Sequence, residues 1–524
     1  MQNKRVGISR KKRKCQRQDP SKDWISDLPD EILIDIVSLL PMKEAFNISI
    51  LSKRWRHIWR STVILKFDGS NKLLSSTGNK RSPQRLAFVT WVDRVLDSHY
   101  GSVVTEFSVC YALNKRAACH INQWISFAVG KKVQRLELKL EDGDSSFSGL
   151  YTFPSSKFRA EEASSIKHLA LNACRVYSPG FDSFRSLITL SLDHVVLTDI
   201  VFNNIFLNCY RAEEASSIKH LALNACRVYS PGFDSFRSLI TLSLDHVVLT
   251  DIVFNNIFLN CSHLEHVSVV GAKKLVNARV VGPNLPLKHL KLSVCRQLES
   301  IEIRAMNLVI FIYGGKPINL FLRNVPMLRA IQFFASDVMI NDTIASTLSQ
   351  VVSLETLALF CKNVWNVTEE YLEIKSRVFP TFSKLKVLVL TVKTFFWSGY
   401  IGFPSLLRAC PLLQRLGMHF DFRCLDPEFR SDETRTSPES RCQFLKEVEL
   451  SGFLGQTYDI ELAVYLVKAA VVLEKMTIRS YYRFFGARGW RDCEILEPEE
   501  MEMIRERAAQ LHKEMPPTAK LVIL

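Results

Sequence analysis

Residues 159–209 read RAEEASSIKHLALNACRVYSPGFDSFRSLITLSLDHVVLTDIVFNNIFLNC, and the same 51 residues return unchanged at 211–261. Inside the block, Ile166-x-x-Leu169-x-Leu171-x-x-Cys174-x-Val176 is followed by Leu187-x-x-Leu190-x-Leu192-x-x-Val195-x-Leu197. Two leucines separated by one residue put their side chains on the same face of a short strand. The residues between one such strand and the next must travel around the far side of a shared core. Repeated, the unit stacks strands into a parallel sheet in which each turn touches only its neighbours. The segment Thr198–Cys209, with a capping Thr-Asp pair and apolar residues at helical spacing, suits a helical return path. Because packing constrains pattern and volume but not surface identity, an unchanged copy speaks of recent duplication or of an error in the sequence. A stack absorbs two whole repeats with little strain, so two equivalent turns are expected, with strands at Leu221 and Leu242 matching those at Leu169 and Leu190.

The pattern fits the leucine-rich repeat template. Looser copies run outward in both directions: Val133/Leu136/Leu138, Leu264/Val267/Val269, Leu287/Leu290/Leu292 with Cys295, Leu354/Leu357/Leu359, Leu385/Leu388/Leu390 and Leu413/Leu416/Met418. The Leu290 and Ile301 strands lie too close in sequence for a helix between them, which predicts a tighter, turn-linked coil there. Outward-facing strand residues such as Lys167, His168, Asn172 and Asp193 are the expected exposed positions. Cys295 and the other repeat cysteines occupy small buried slots of the template and read as core thiols.

Toward the N-terminus, Trp24–Trp59 reads WISDLPDEILIDIVSLLPMKEAFNISILSKRWRHIW. Asp27 as a cap, Pro29 near the first turn and Asp30 and Glu31 at the positive end of the dipole predict a helix. Ile32, Ile36, Leu39 and Leu40 recur along it at helical spacing, and Pro41 ends it. Met42–Leu51 predicts a second helix, and Leu51, Trp55 and Trp59 form the stripe of a third. So small a unit carries more apolar side chains than it can bury alone. This segment resembles the F-box, in the pattern DLPDEIL, SLLP, SILSKRWRHIW. The resemblance implies docking on a SKP-family adaptor, and through it a cullin scaffold, using Leu28, Pro29, Ile32, Ile36, Leu39, Leu40, Leu51, Trp55 and Trp59. A helix-turn-helix reading DNA through Lys53, Arg54, Arg56 and Arg60 is the rival. Those cations lie largely off the apolar stripe and read first as a solvated face.

Toward the C-terminus, 404–416, 444–453 and 461–478 resemble the FBD region of plant F-box proteins. Leu462, Leu466 and Ala469 mark a helix expected against the Leu445/Val448/Leu450 and Leu473/Met476/Ile478 strands. Met501, Ile504, Ala508, Leu511 and Met515 mark another, expected to cap the stack. The fold class is therefore α/β: a small three-helix F-box, a leucine-rich-repeat solenoid and a C-terminal FBD region. The expected boundaries are a basic tail at 1–22, the F-box at 23–62, a linker and transition at 63–100, the solenoid at 101–425, and the FBD region with its cap at 440–524.

The chain has 524 residues, 47% hydrophobic and 23% charged, with a formal net charge of +15. Residues 1–22 hold nine Lys/Arg against one Asp, a net +8, which leaves the rest only mildly basic. The run Arg10, Lys11, Lys12, Arg13, Lys14 suits nuclear import, so nucleus and/or cytoplasm is the expected location. Nucleic acid is not the expected partner, although a nuclear nucleic-acid-associated regulator using the basic tail is the alternative function. There is no apolar run long enough to span a bilayer and no signal-peptide pattern, so a membrane is not an expected partner either. The 13 cysteines are scattered without a C-x-x-C pair, which disfavours disulfides and zinc. His263 and His266 suit strand alternation better than a metal. No catalytic or cofactor motif is present, neither G-x-S-x-G, G-x-x-x-x-G-K-[ST], G-x-G-x-x-G nor H-E-x-x-H. The expected function is a non-enzymatic, cofactor-free substrate-recognition subunit of an SCF-type ubiquitin ligase that holds an unidentified target protein on its repeat surface.

Overall fold

The computed structural model describes residues 25, 27–69, 81–140, 149–155, 158, 163–177, 184–197, 217–226, 236–282, 284–316, 318–335, 347–348, 350–361, 381–392, 403–420, 441–480, 482–486, 489–493 and 498–524. The basic stretch Arg10–Lys14 and the first copy of the return path, 198–209, lie outside them. Among the described residues, 17 strands form one sheet. It begins at Ile64–Asp68, passes through Glu106–Cys110, Arg135–Lys139 and His168–Asn172, and ends at Lys520–Ile523. Every pairing in it is parallel and follows chain order, the topology expected when each turn can bond only to its neighbours.

The alternating leucines do what their spacing predicts. Leu136 and Leu138, Leu169 and Leu171, Leu290 and Leu292, Leu357 and Leu359, and Leu388 and Leu390 are all buried on the inner face. At ~1.5–3 kcal/mol for each large side chain withdrawn from water, these rows are the main source of cohesion. The duplicated block gives two equivalent pairs of turns. His168–Asn172 and Thr189–Asp193 are followed in register by His220–Asn224 and Thr241–Asp245. The second copy of the return path is the helix Asp251–Asn260, capped by Thr250, whose hydroxyl accepts from Val253 N–H, with Phe254, Ile257 and Phe258 buried.

The convex side changes along the stack. Asn277–Val281, Ser300–Arg304 and Asn319–Leu322 form a second parallel sheet behind the main one. Leu290 and Ile301 thus belong to opposite walls of a turn-linked coil, which is how strands so close in sequence are accommodated. The chain leaves the main sheet in the same way turn after turn. Ala173, His194, Ala225, His246 and Val294 all have positive φ, as do Gly271 and Gly452. Each of the first four donates its N–H to the end of the next strand, as in Ala173 to Asp193 O at 2.9 Å.

Two expected boundaries move. The segment 63–100, expected as a linker and transition, carries the first strand, Ile64–Asp68, and the helix Arg81–Ser98, while its stretch 70–80 lies outside the described residues. Leu65 and Phe67 repeat the inward alternation there without the full template. The 440–524 region continues the same sheet through Glu447–Ser451, Lys475–Arg479 and Lys520–Ile523. Leu462, Leu466 and Ala469 are buried, as are Ile504, Ala508 and Leu511 of the terminal helical segment. The last strand is an addition to the expected cap.

Candidate functional site

The N-terminal module consists of α1 (Asp30–Ser38), α2 (Met42–Ile48) and α3 (Lys53–Arg60). Pro29, not Asp27, is the N-cap of α1; its fixed φ suits the entry, and the cap carries no side-chain bond. Ser52 caps α3, its hydroxyl accepting from Trp55 N–H at 3.2 Å. Arg54 ties the helices together, donating to Asp30 at 2.6 Å and to the Leu28 carbonyl, which leaves it ill placed for a phosphate. Arg60 lies over the Trp59 ring at 5.8 Å.

Helix α1 is apolar on two sides. Leu33 and Val37 turn inward, whereas Ile32, Ile36 and Leu39 turn out. A helix with a second greasy stripe presents more apolar surface than its own fold consumes. Leu39 is 81% exposed, Ile50 81% and Leu51 71%, with Ile25 and Phe46 also exposed. Ile25, Ile36, Val37, Ile48, Leu51, Ser52 and Trp55 line a cleft of about 470 Å³ between α1 and the start of α3. Of the residues the resemblance assigned to adaptor contact, Pro29, Ile32, Ile36, Leu39 and Leu51 are exposed, and Leu28 and Leu40 half-buried. Trp55 is largely buried but reaches the cleft. Trp59 is a correction: it is only 2% exposed, edge-on to Phe46 at 5.3 Å, and belongs to the module's core. Leu51 precedes α3 and so leaves the stripe on which the two indoles lie. Ile25, Phe46 and Ile50 were missed, although the Ile48-Ser-Ile50-Leu51 run carried the signal of apolar residues on successive faces.

The module is fastened to the first turn of the stack. Val63 N–H donates to Ser38 at 3.2 Å, the Tyr100 hydroxyl donates to His57 O at 3.0 Å, and Lys43 lies over Trp91 at 5.4 Å.

The second candidate is the outer face of the main sheet. One row of outward residues runs His168, Thr189, His220, Thr241, His266, His289 in strict register. His168 and His220 each bond a neighbouring threonine hydroxyl through Nδ1, at 3.1 and 2.6 Å, and the His266 and His289 rings stand 5.4 Å apart. Burial holds the His168 imidazole below its usual pKa, with Arg135 and Lys167 adding to the effect; burial and His266 do the same to His289. The central row, Ala170, Ser191, Ala222, Ser243 and Ser268, is small throughout, and over its last three members lies a groove of about 270 Å³ walled by His220, Thr241, His266 and His289. Asn172, expected exposed, is buried, donating to Asp193 at 2.7 Å. Cys174, Cys226 and Cys295 are buried, and burial pushes their thiols up, away from nucleophilic character. His263 faces the Arg237 carbonyl at 2.9 Å. Among the described residues, no group of three or more His, Cys, Asp or Glu is arranged to hold a metal, and no helix is long and apolar enough to cross a membrane.

A helical module with an uncovered apolar cleft at the start of a parallel-strand solenoid defines a repeat protein with a helical head. The model of the F-box domain matches residues 25–67, and the one described as "At1g61320/AtMIF1, LRR domain" matches 95–214 and 207–514. The chain belongs to the F-box/LRR-repeat proteins. It is similar to F-box/LRR-repeat protein 25 of Arabidopsis thaliana, 32% identical over 213 residues, which cover 39% of this chain and 72% of that protein. An F-box/FBD/LRR-repeat protein of the same plant is 25% identical over 492 residues, covering 87% of this chain and 83% of the relative. Among solved structures, a Leptospira interrogans LRR protein aligns at 13% identity with a TM-score of 0.37, covering 88% of this chain and 95% of that one.

Proposed function

We propose that the chain is the substrate-recognition subunit of an SCF-type ubiquitin ligase. The F-box docks on a SKP-family adaptor, which joins it to a cullin, and the repeat surface holds a target protein. The reading rests on one observation: Ile25, Ile36, Ile48 and Leu51 line an uncovered cleft, with Leu39 and Ile50 exposed on the same module, which is otherwise packed and fastened. Burying large side chains there at ~1.5–3 kcal/mol each brings the gain into the range of the association cost, ~4–15 kcal/mol. The chain supplies no bond-making residue; its contribution is a raised local concentration of target lysines near the charged ubiquitin carrier. Arg10–Lys14 serve nuclear import.

Co-purification with a plant SKP adaptor tests the docking. Leu39→Asp and Leu51→Asp alter exposed positions, so each variant should keep the parental Tm while adaptor capture falls at least tenfold. Undiminished capture by the folded double variant would refute the assignment.

A further inference from the structure

The row of histidines lies where the receptor reading needs a grip, and its charges are unevenly committed. The acids around it are occupied. Asp193 is held by Asn172 and by His194 at 2.8 Å, Asp245 by His246, and Glu265 by Lys288 at 2.9 Å. On the flanking strands, Glu106 meets Lys66 at 2.8 Å and Arg135 at 3.6 Å, and Glu137 meets Lys139 at 2.7 Å. By contrast, Lys167 and Lys219, immediately before His168 and His220, are exposed and make no ion pair with the described residues. Lys291 closes the far end of the groove beside Ile312. Among the described residues, the wall at Lys167 and Lys219 is therefore short of anions.

The groove's shape is equally particular. Ala170 through Ser268 keep the floor low across five neighbouring strands, whereas Glu137 on one side and Lys291 on the other raise it. Because His168 and His220 bond threonine through Nδ1, their Nε2 atoms are the ones left to meet a ligand. The duplication places these two histidines two strands apart, roughly 9–10 Å at ordinary strand spacing. An extended or polyproline-like chain covers that distance in about three residues.

Building on the receptor reading, we propose that this groove, continued along the register row to His168, takes an extended acidic segment of the target protein, laid across the strands, with carboxylates about three residues apart against His168, His220 and His266 and with His289 at the far end. A carboxylate beside an imidazole favours its protonated form, so binding takes up protons and tightens as pH falls. In the free protein, burial, Arg135, Lys167 and His220 oppose protonation of His168, while Glu106 favours it. His266 opposes protonation of His289, and Glu265 lies 3.9 Å from His266. Asp245 acts on Lys291.

Fluorescence polarisation of the full chain with fluorescein-labelled (Glu-Pro-Pro)4 tests this, with (Gln-Pro-Pro)4 as control. The acidic peptide should bind at least tenfold more tightly than the control, and about tenfold more tightly at pH 6.0 than at pH 7.5, the gain expected from roughly one added proton. His289→Gln, at the wall of the groove, should lose at least half of the pH gain. Ser243→Glu, at an exposed floor position, should cut binding at least tenfold with Tm unchanged. Equal binding of both peptides, no binding of either, or binding indifferent to Ser243→Glu would overturn the proposal. Adaptor capture is read on the same preparations: lost capture with peptide binding intact removes the receptor reading and keeps the groove, whereas the converse removes the groove alone.

Discussion

Asp459 is a carboxylate in a place that does not suit one. It is buried at the start of the Thr457–Ala469 helix, accepts from Leu454 and Gln456 N–H at 2.9 and 3.1 Å, and has its pKa pushed up by burial to about 7. With the folded pKa above the unfolded value, the folded state holds its proton longer, so this group's contribution to stability is fully present below about pH 4 and is lost as pH rises toward 7. Asp459→Asn should flatten the difference in Tm between pH 5 and pH 7.5, measured by scanning calorimetry at both. Val294 makes a second case. It holds φ 57° directly after a strand, a conformation that costs a branched residue about 1–2 kcal/mol. Val294→Gly should raise stability in urea titration by about 1 kcal/mol. Gly452 occupies the equivalent slot at φ 76°, where an added Cβ would lie 2.0 Å from the Phe420 carbonyl oxygen. Gly452→Ala should therefore lower Tm sharply and increase hydrogen exchange in Glu447–Ser451.

At the level of elements, the strands were legible and their partners behind the sheet were less so. The pair of leucines one residue apart is a local signal with one geometric meaning, and each quoted copy from Val133 to Met418 lies buried on a main-sheet turn. What the chain does between strands depends on which surface the previous turn offers. Helix Asp251–Asn260 and strand Ser300–Arg304 fill the same convex role a few turns apart. The first strand escaped notice because Ile64–Asp68 shows only the alternation, set between a helical module and a polar stretch. Trp59 was assigned to a surface for a related reason: spacing shows that two indoles share a stripe but not which side of the stripe meets the rest of the module. The histidine row was invisible as a row, since register, not sequence proximity, brings its members together.

For the whole molecule, the duplication is the most informative feature. Its two copies occupy consecutive turns with matching register, so removing residues 210–261 rejoins a turn to its proper successor. The shortened chain should fold and melt cooperatively, within a few degrees of the parent, because a stack's stability is a sum of local terms. Circular dichroism melting would check this. Removal of only 26 residues, which breaks the two-turn unit, should give a markedly less stable product. The shortened chain also loses two of the five low-floored strands, which on the grip proposed above should weaken binding of (Glu-Pro-Pro)4.

The bonds from Val63 N–H to Ser38 and from the Tyr100 hydroxyl to His57 O tie the head to the first turn of the arc. Whatever seats on the head therefore fixes the bearing of every turn behind it. Inserting two turns in mid-arc leaves the near portion pointing as before and swings the far portion, including the C-terminal strands, through the angle of the added turns. A lineage that copies repeats in this way can redirect its distant half without touching the joint that holds it.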